Sequence, residues 1–207
     1  MEKNTNTKIE INTLVNNSIR KAISYNEFRT KVAAHVENGT SSGPYQSEAL
    51  SQYTLLNNSR MKRLDKTTKI SEEVSEKFQN YRNNVTWLVL TESWCGDAAH
   101  AMPVMNKLTD LSKNIDLKVL HRDENEELMN AFLTNGTKSI PKLIAFDNDT
   151  KEVISDWGPS PSKVMSMTKD FKENNETLTP EFKKDIQVWY NKDKGKSIAS
   201  DLLRMIA

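Results

Sequence analysis

Residues 85–91, VTWLVLT, form a continuous β-prone run of the kind that suits a strand buried on both faces. A strand with one wet face alternates polar and apolar side chains, because successive side chains point to opposite sides. This run therefore predicts the centre of a sheet covered by helices on both sides. SWCGDAAHAMPVMNKLTDLSK at 93–113 reads as a loop turning into a helix, and IDLKVLH at 115–121 as a second strand. The acidic stretch RDENEELMNAFL at 122–133 follows, its later part helical. KSIPKLIAFD at 138–147 supplies a third strand behind a proline, and KEVISDW at 151–157 a fourth. DNDT at 147–150 is the hairpin turn between those two. Gly158, Pro159 and Pro161 end the fourth strand, and helices follow around 161–173 and 180–206, the last divided by Gly195. Strand–helix–strand–helix–hairpin–helix predicts an α/β fold with a mixed sheet and helices on its faces.

The first third reads as helical. In SYNEFRTKVAAHVE at 24–37, Phe28, Val32 and Val36 recur four apart, on one helical face. Ser24 followed by Glu27 fits a capping box. NGTSSGP at 38–44 is a turn segment, with Gly39 as helix stop and Pro44 barring simple continuation. Ser47 caps a second helix running to about Leu64, and Ser71 a third over Glu72–Tyr81. These helices either cover one side of the sheet or form a small module of their own. The asparagine- and threonine-rich start, MEKNTNTKIEINTLV, is read as disordered for a few residues and lacks the apolar core of a secretory signal. The expected organisation is a helical extension over 1–80 and an α/β domain over 81–207.

Composition narrows the chemistry. Among 207 residues there is one cysteine, Cys95, so an intrachain disulfide, a four-cysteine zinc site and an iron–sulfur centre within one chain are excluded. Lys plus Arg is 29 and Asp plus Glu 28, a net charge of +1, which carries no bias toward nucleic acid or anionic membrane. No apolar run is long enough to span a bilayer. The chain is expected to be a soluble cytoplasmic protein, with no nucleic-acid or membrane partner.

Cys95 stands where the first strand's loop turns into a helix. Unpaired N–H groups of a first helical turn stabilise a thiolate and favour a pKa below the ordinary value of about 8.5; the alternative is a cysteine that is simply buried and inert. Asp97 opposes that depression, since a neighbouring carboxylate disfavours a second negative charge. Trp94 before the cysteine and Gly96 after it leave one side open to a partner chain.

TESWCGDAAHAMPVMNKL, followed at a distance by SIPKLIAFD, resembles the thioredoxin superfamily. The likeness lies in Trp-Cys-Gly at the end of a β-prone strand, Pro103 eight positions after the cysteine, Ile140-Pro141 opening a later strand, and Gly158 after the hairpin. GTSSGPYQSEALSQYTLLNNSRMKRLDKT at 39–67, LTNGTKSIPKL at 133–143 and WGPSP at 157–161 extend it to bacterial thioredoxin-family proteins with an N-terminal helical extension. The resemblance implies a thioredoxin-like three-layer sandwich with a central mixed sheet, plus that extension packed on it. It also implies a cis peptide bond before Pro141, opposite Cys95, with the Ile140 backbone available to an extended substrate. One position departs from the dithiol pattern: the tetrad is Cys95-Gly96-Asp97-Ala98, so no second thiol follows. A mixed disulfide on Cys95 would need resolution by glutathione, another protein or a second copy of the chain.

Remaining candidates carry less. Glu92 is a candidate proton relay, although Val89 stands where many thioredoxins place a buried aspartate. Trp94 is read as a rim contact and Pro103 as a helix kink. Cys95, Asp97, His100 and His121 could in principle ligate zinc, but a separation of five positions keeps Cys95 and His100 off one closely shared helical face. The acidic run from Asp123 to Glu127 lacks calcium-loop spacing, and no glycine-rich phosphate loop follows the first strand. No cofactor or metal is expected. Two functions remain open: monothiol thiol–disulfide exchange through Cys95 with protein or low-molecular-weight thiols and disulfides, and a non-enzymatic module that binds peptide or protein in the same groove. Oligomeric state does not follow from the sequence.

Overall fold

The computed structural model describes residues 2–206. Its elements in chain order are α1 (Glu2–Ile19), β1 (Ile23–Ser24), α2 (Tyr25–Glu37), α3 (Glu48–Thr67), α4 (Glu72–Asn80), β2 (Val85–Thr91), α5 (Gly96–Thr109) and β3 (Ile115–His121). After a 3-10 turn at Arg122–Glu124 come α6 (Glu126–Ala131), β4 (Lys142–Asp147), β5 (Glu152–Trp157), α7 (Ser162–Lys172), α8 (Pro180–Asp193) and α9 (Lys196–Arg204).

β2 is central, and every one of its residues is buried. The sheet order is β1-β3-β2-β4-β5, with β2 and β3 parallel and the other neighbours antiparallel. Parallel pairing runs in register from Val85 opposite Ile115 to Thr91 opposite His121. It thereby places the loops after both strands, at 92–95 and 122–125, at one end of the sheet. Helix α5 packs against β3 and is flanked by α3, α4 and α9, while α1 lies against α6 and β5. Helices thus cover the sheet on both faces, giving the α/β thioredoxin-like sandwich with extra N-terminal helices.

Local chemistry explains most helix boundaries. Ser24 accepts from the Glu27 N–H while the Glu27 carboxylate accepts from the Ser24 N–H at 2.8 Å, the reciprocal box expected at the start of α2. Ser47 and Ser71 cap α3 and α4 from one side only, accepting from the Leu50 and Val74 N–H groups. Gly195, at φ +82, separates α8 from α9.

Two points depart from the sequence reading. The start is helical rather than disordered from Glu2 onward; Met1 lies outside the described residues. Tertiary docking decides this, because Val15 is fully buried and the Asn12 amide oxygen accepts from the Val153 N–H of edge strand β5 at 3.0 Å. β1, two residues long, pairs with β3 and carried no strand signal of its own. The third strand begins at Lys142, directly behind Pro141 as expected, with residues 138–141 forming the loop that leads into it.

Gly158 fixes the junction after β5. Its φ is +122, and a Cβ there would stand 2.0 Å from the Pro141 carbonyl oxygen. Gly158→Ala is therefore expected to lower stability by about 2 kcal/mol or more, since strained backbone and a backbone clash add. A urea midpoint checks this; an unchanged midpoint would mean that the two loops separate freely.

Candidate functional site

Cys95 is the N-cap of α5, and its Sγ accepts from the Ala98 N–H at 3.5 Å. On the other side Sγ–H donates to the Ile140 carbonyl at 3.3 Å. The Ile140–Pro141 peptide is cis, as the resemblance implies. Strand β2 delivers the cysteine and the loop before β4 delivers its acceptor, with Cys95 and Ile140 only 8% and 7% exposed.

The charge state of the thiol reverses the expectation. Burial pushes the Cys95 thiol up to about 12, and the Asp97 carboxylate adds to the rise. Backbone N–H groups of Ala98 and Asp97, and the Arg122 guanidinium, oppose it without prevailing. The helix-terminal donors are present, but the desolvation of a charged sulfur outweighs them. The resting group is a protonated thiol.

Trp94 is half-buried, with the Arg122 guanidinium 5.0 Å from its ring centroid. Arg122 also bonds Asp123 at 2.7 Å and the Lys138 carbonyl at 3.3 Å, tying the Trp94 rim to the segment that leads to Pro141. Gly96 and Asp97 are half-buried, whereas Ala98 is buried. The Asp97 carboxylate accepts from the Tyr190 hydroxyl at 2.6 Å. Burial raises the Asp97 carboxyl above its ordinary value, against the Tyr190 bond and the Arg60 charge.

Glu92 is buried and its carboxylate is fully engaged. It accepts from the Ser42 hydroxyl and from the Asp123 N–H at 2.9 Å, with His121 Nδ1 at 3.4 Å. Burial alone would raise this carboxyl; the contacts from His121, Ser42 and Asp123 outweigh it and hold the group below its ordinary value. Behind the cysteine, Ser42 and Ser93 bond reciprocally: the Ser42 N–H donates to Ser93 Oγ at 2.9 Å and the Ser93 N–H to Ser42 Oγ at 2.8 Å. Proton bookkeeping settles the remaining directions. The Thr54 hydroxyl donates to the Leu50 carbonyl at 2.9 Å, so across the 2.8 Å contact Ser93 donates to Thr54. Asn57 completes the frame by donating to the Ser93 carbonyl at 3.1 Å. Helix α3 and the loop before it thus hold residues 92–95 from behind.

The thioredoxin family model matches residues 43–172, well over half of the chain. The chain belongs to the thioredoxin family. Two solved structures share the thioredoxin-like fold at low identity. A protein of unknown function from Pseudomonas aeruginosa is 16% identical, with a TM-score of 0.58 over 73% of this chain and 84% of its own. An HIV epitope scaffold is 18% identical, with a TM-score of 0.56 over 89% of this chain and 98% of its own. No curated protein matches.

Of the residues expected at the site, the structure brings Ala98 and Ile140 to the Cys95 sulfur, with Trp94, Gly96 and Asp97 in the same segment and Pro141 following Ile140 through a cis bond. Glu92 lies in the same loop with its oxygens committed to Ser42, Asp123 and His121. His100 stacks on Tyr190 with centroids 4.2 Å apart, and burial pushes its pKa down to about 4. Among the described residues, no group of three His, Cys, Asp or Glu is placed to hold a metal ion. Sequence reading missed Ser42, Ser93, Thr54, Asn57, Arg122 and Tyr190. The sequence around Ser42 signals only a turn, and nothing in it announces a buried partner 50 positions away.

Ser42→Ala removes the donor to Glu92 and the acceptor for the Ser93 N–H. Each buried polar group left unpaired costs about 1–3 kcal/mol, so a loss of roughly 2–4 kcal/mol is expected at pH 7. The deficit has a defined pH dependence. A carboxyl held below its unfolded pKa stabilises the fold above that pKa and loses the contribution as pH falls through the folded value. The gap between Ser42→Ala and wild type should therefore narrow on acidification through the carboxylate range, read by urea unfolding at several pH values. A constant gap would remove Glu92 from the account.

Proposed function

We propose that the chain carries out monothiol thiol–disulfide exchange, with Cys95 as the single nucleophile. The observation that supports this is the placement of the only cysteine as N-cap of α5, its sulfur between the Ala98 N–H and the Ile140 carbonyl. In the first step Cys95 sulfur attacks one sulfur of a substrate disulfide. The substrate S–S bond breaks, a Cys95–substrate disulfide forms, and the departing sulfur takes up the proton that Cys95 releases. In the second step an external thiol of the glutathione class attacks the mixed disulfide, returns Cys95 to the thiol and leaves joined to the substrate's sulfur. Ala98 offers no internal thiol for this step.

The other site residues receive roles on the same reading. Trp94 and Gly96 form the rim, and Ile140 with Pro141 form the wall against which an extended segment lies. Glu92 braces the loop, since its oxygens already have partners; the proton passes between the sulfurs and solvent. Residues 1–80 act as the extension that supports the thioredoxin-like part over 81–207. Partners are protein or low-molecular-weight disulfides, in a cytoplasmic compartment where such thiols are maintained. Among the described residues, no helix is long and apolar enough to cross a membrane.

One observation favours a second reading, a thioredoxin-fold binding module: the thiol is 8% exposed and burial pushes it up to about 12. The two readings separate by intact mass after incubation with glutathione disulfide. Exchange predicts one glutathione per folded chain at pH 8, none on Cys95→Ser, and removal by reduced glutathione. Absence of any adduct on the folded chain, with adduct formation only after unfolding, would reject exchange in favour of the module.

A further inference from the structure

We infer that Tyr190 is a positioning residue of the thiol site, holding the Asp97 carboxylate as a fixed negative charge beside Cys95 and so setting how readily that thiol reacts. The inference deepens the exchange reading and rests on it for its biological meaning. The chain places a tyrosine from its C-terminal part, 93 positions away, on a carboxylate in the first turn of the helix that Cys95 caps. The 2.6 Å bond is short, as a hydroxyl-to-carboxylate bond should be.

One contact of the tyrosine and two of its neighbours on α8 fix its position. Its ring stacks on His100 of α5 at an interplanar angle of 3°. Gln187, three positions earlier on α8, meets His100 Nε2 at 3.1 Å, and Asn191 accepts from Arg63 of α3 at 2.9 Å. Helix α8 is thus held to α3 and α5 with its hydroxyl aimed at the start of α5.

The charged groups around the thiol come from several elements. Asp97 lies on α5 itself, Arg122 on the 3-10 turn, and Tyr190 on α8, while Arg60 of α3 acts on Asp97. Asp97 disfavours the thiolate and Arg122 favours it. His100, kept neutral by burial, adds no charge at physiological pH. The Tyr190 hydroxyl favours the ionised form of Asp97 and holds it in place. Without that hydroxyl, the carboxylate loses the bond that holds it in place, and the opposition to the thiolate weakens.

Alkylation of Cys95 by iodoacetamide tests this, because its rate follows the thiolate fraction and needs no disulfide substrate. Asp97→Asn keeps the side-chain shape and should react roughly tenfold faster at pH 8, the equivalent of about one pKa unit. Tyr190→Phe keeps the ring on His100, deletes only the hydroxyl, and should react roughly threefold faster, from loss of one charge-assisted hydrogen bond. In the Asp97→Asn background, Tyr190→Phe should add nothing further. An unchanged rate in Tyr190→Phe, or the same gain in both backgrounds, would overturn the inference. If the alkylation order holds while no variant forms a mixed disulfide, the exchange reading falls and the positioning role of Tyr190 stands.

Discussion

The loop that presents Cys95 is held from behind by two serines bonded to each other through backbone and side chain, Ser42 and Ser93. Each hydroxyl in that pair is also used a second time, Ser42 toward Glu92 and Ser93 toward Thr54. Such a chain of buried polar groups specifies one arrangement, because every donor has one acceptor and any slip leaves a desolvated group unpaired. The consequence is architectural. Helix α3 and the segment before it are wired to the loop that carries the sulfur, and Glu92 passes the connection on to Asp123 after β3 and His121 at its end. The thiol, its Ile140 acceptor and the Trp94–Arg122 rim all depend on that loop being in one place.

Electrostatics at the sulfur then reflects two opposed effects. Cys95 caps α5 with first-turn N–H groups directed at its sulfur, yet burial and Asp97 hold it as a thiol. A protonated, enclosed sulfur reacts slowly with whatever diffuses past. On the exchange reading proposed above, it acts on a disulfide whose binding shapes the surroundings, and Ala98 leaves no thiol for an internal second step.

Much of the fold was legible in the sequence because it is encoded locally. Val85–Thr91 and Ile115–His121 are strands by composition alone, and Ser24 with Glu27 writes out the start of α2. The cysteine's place as a helix cap was equally readable. What escaped were contacts that only the tertiary fold creates. α1 has few apolar residues, and its order rests on Val15 in the core and Asn12 on an edge strand. Tyr190 reaches Asp97, and Ser42 reaches Glu92, across separations that no local pattern spans. The sign of the thiol shift was missed for the same reason: helix position is a local property, and burial is not.

The central claim is that Cys95 begins an exchange which a thiol outside the chain completes. Its most direct test is to isolate the Cys95–glutathione mixed disulfide and follow its lifetime by intact mass with and without added reduced glutathione. The account predicts a disulfide that persists in the absence of added thiol and decays at a rate proportional to the concentration supplied. Decay at a rate independent of added thiol would contradict it.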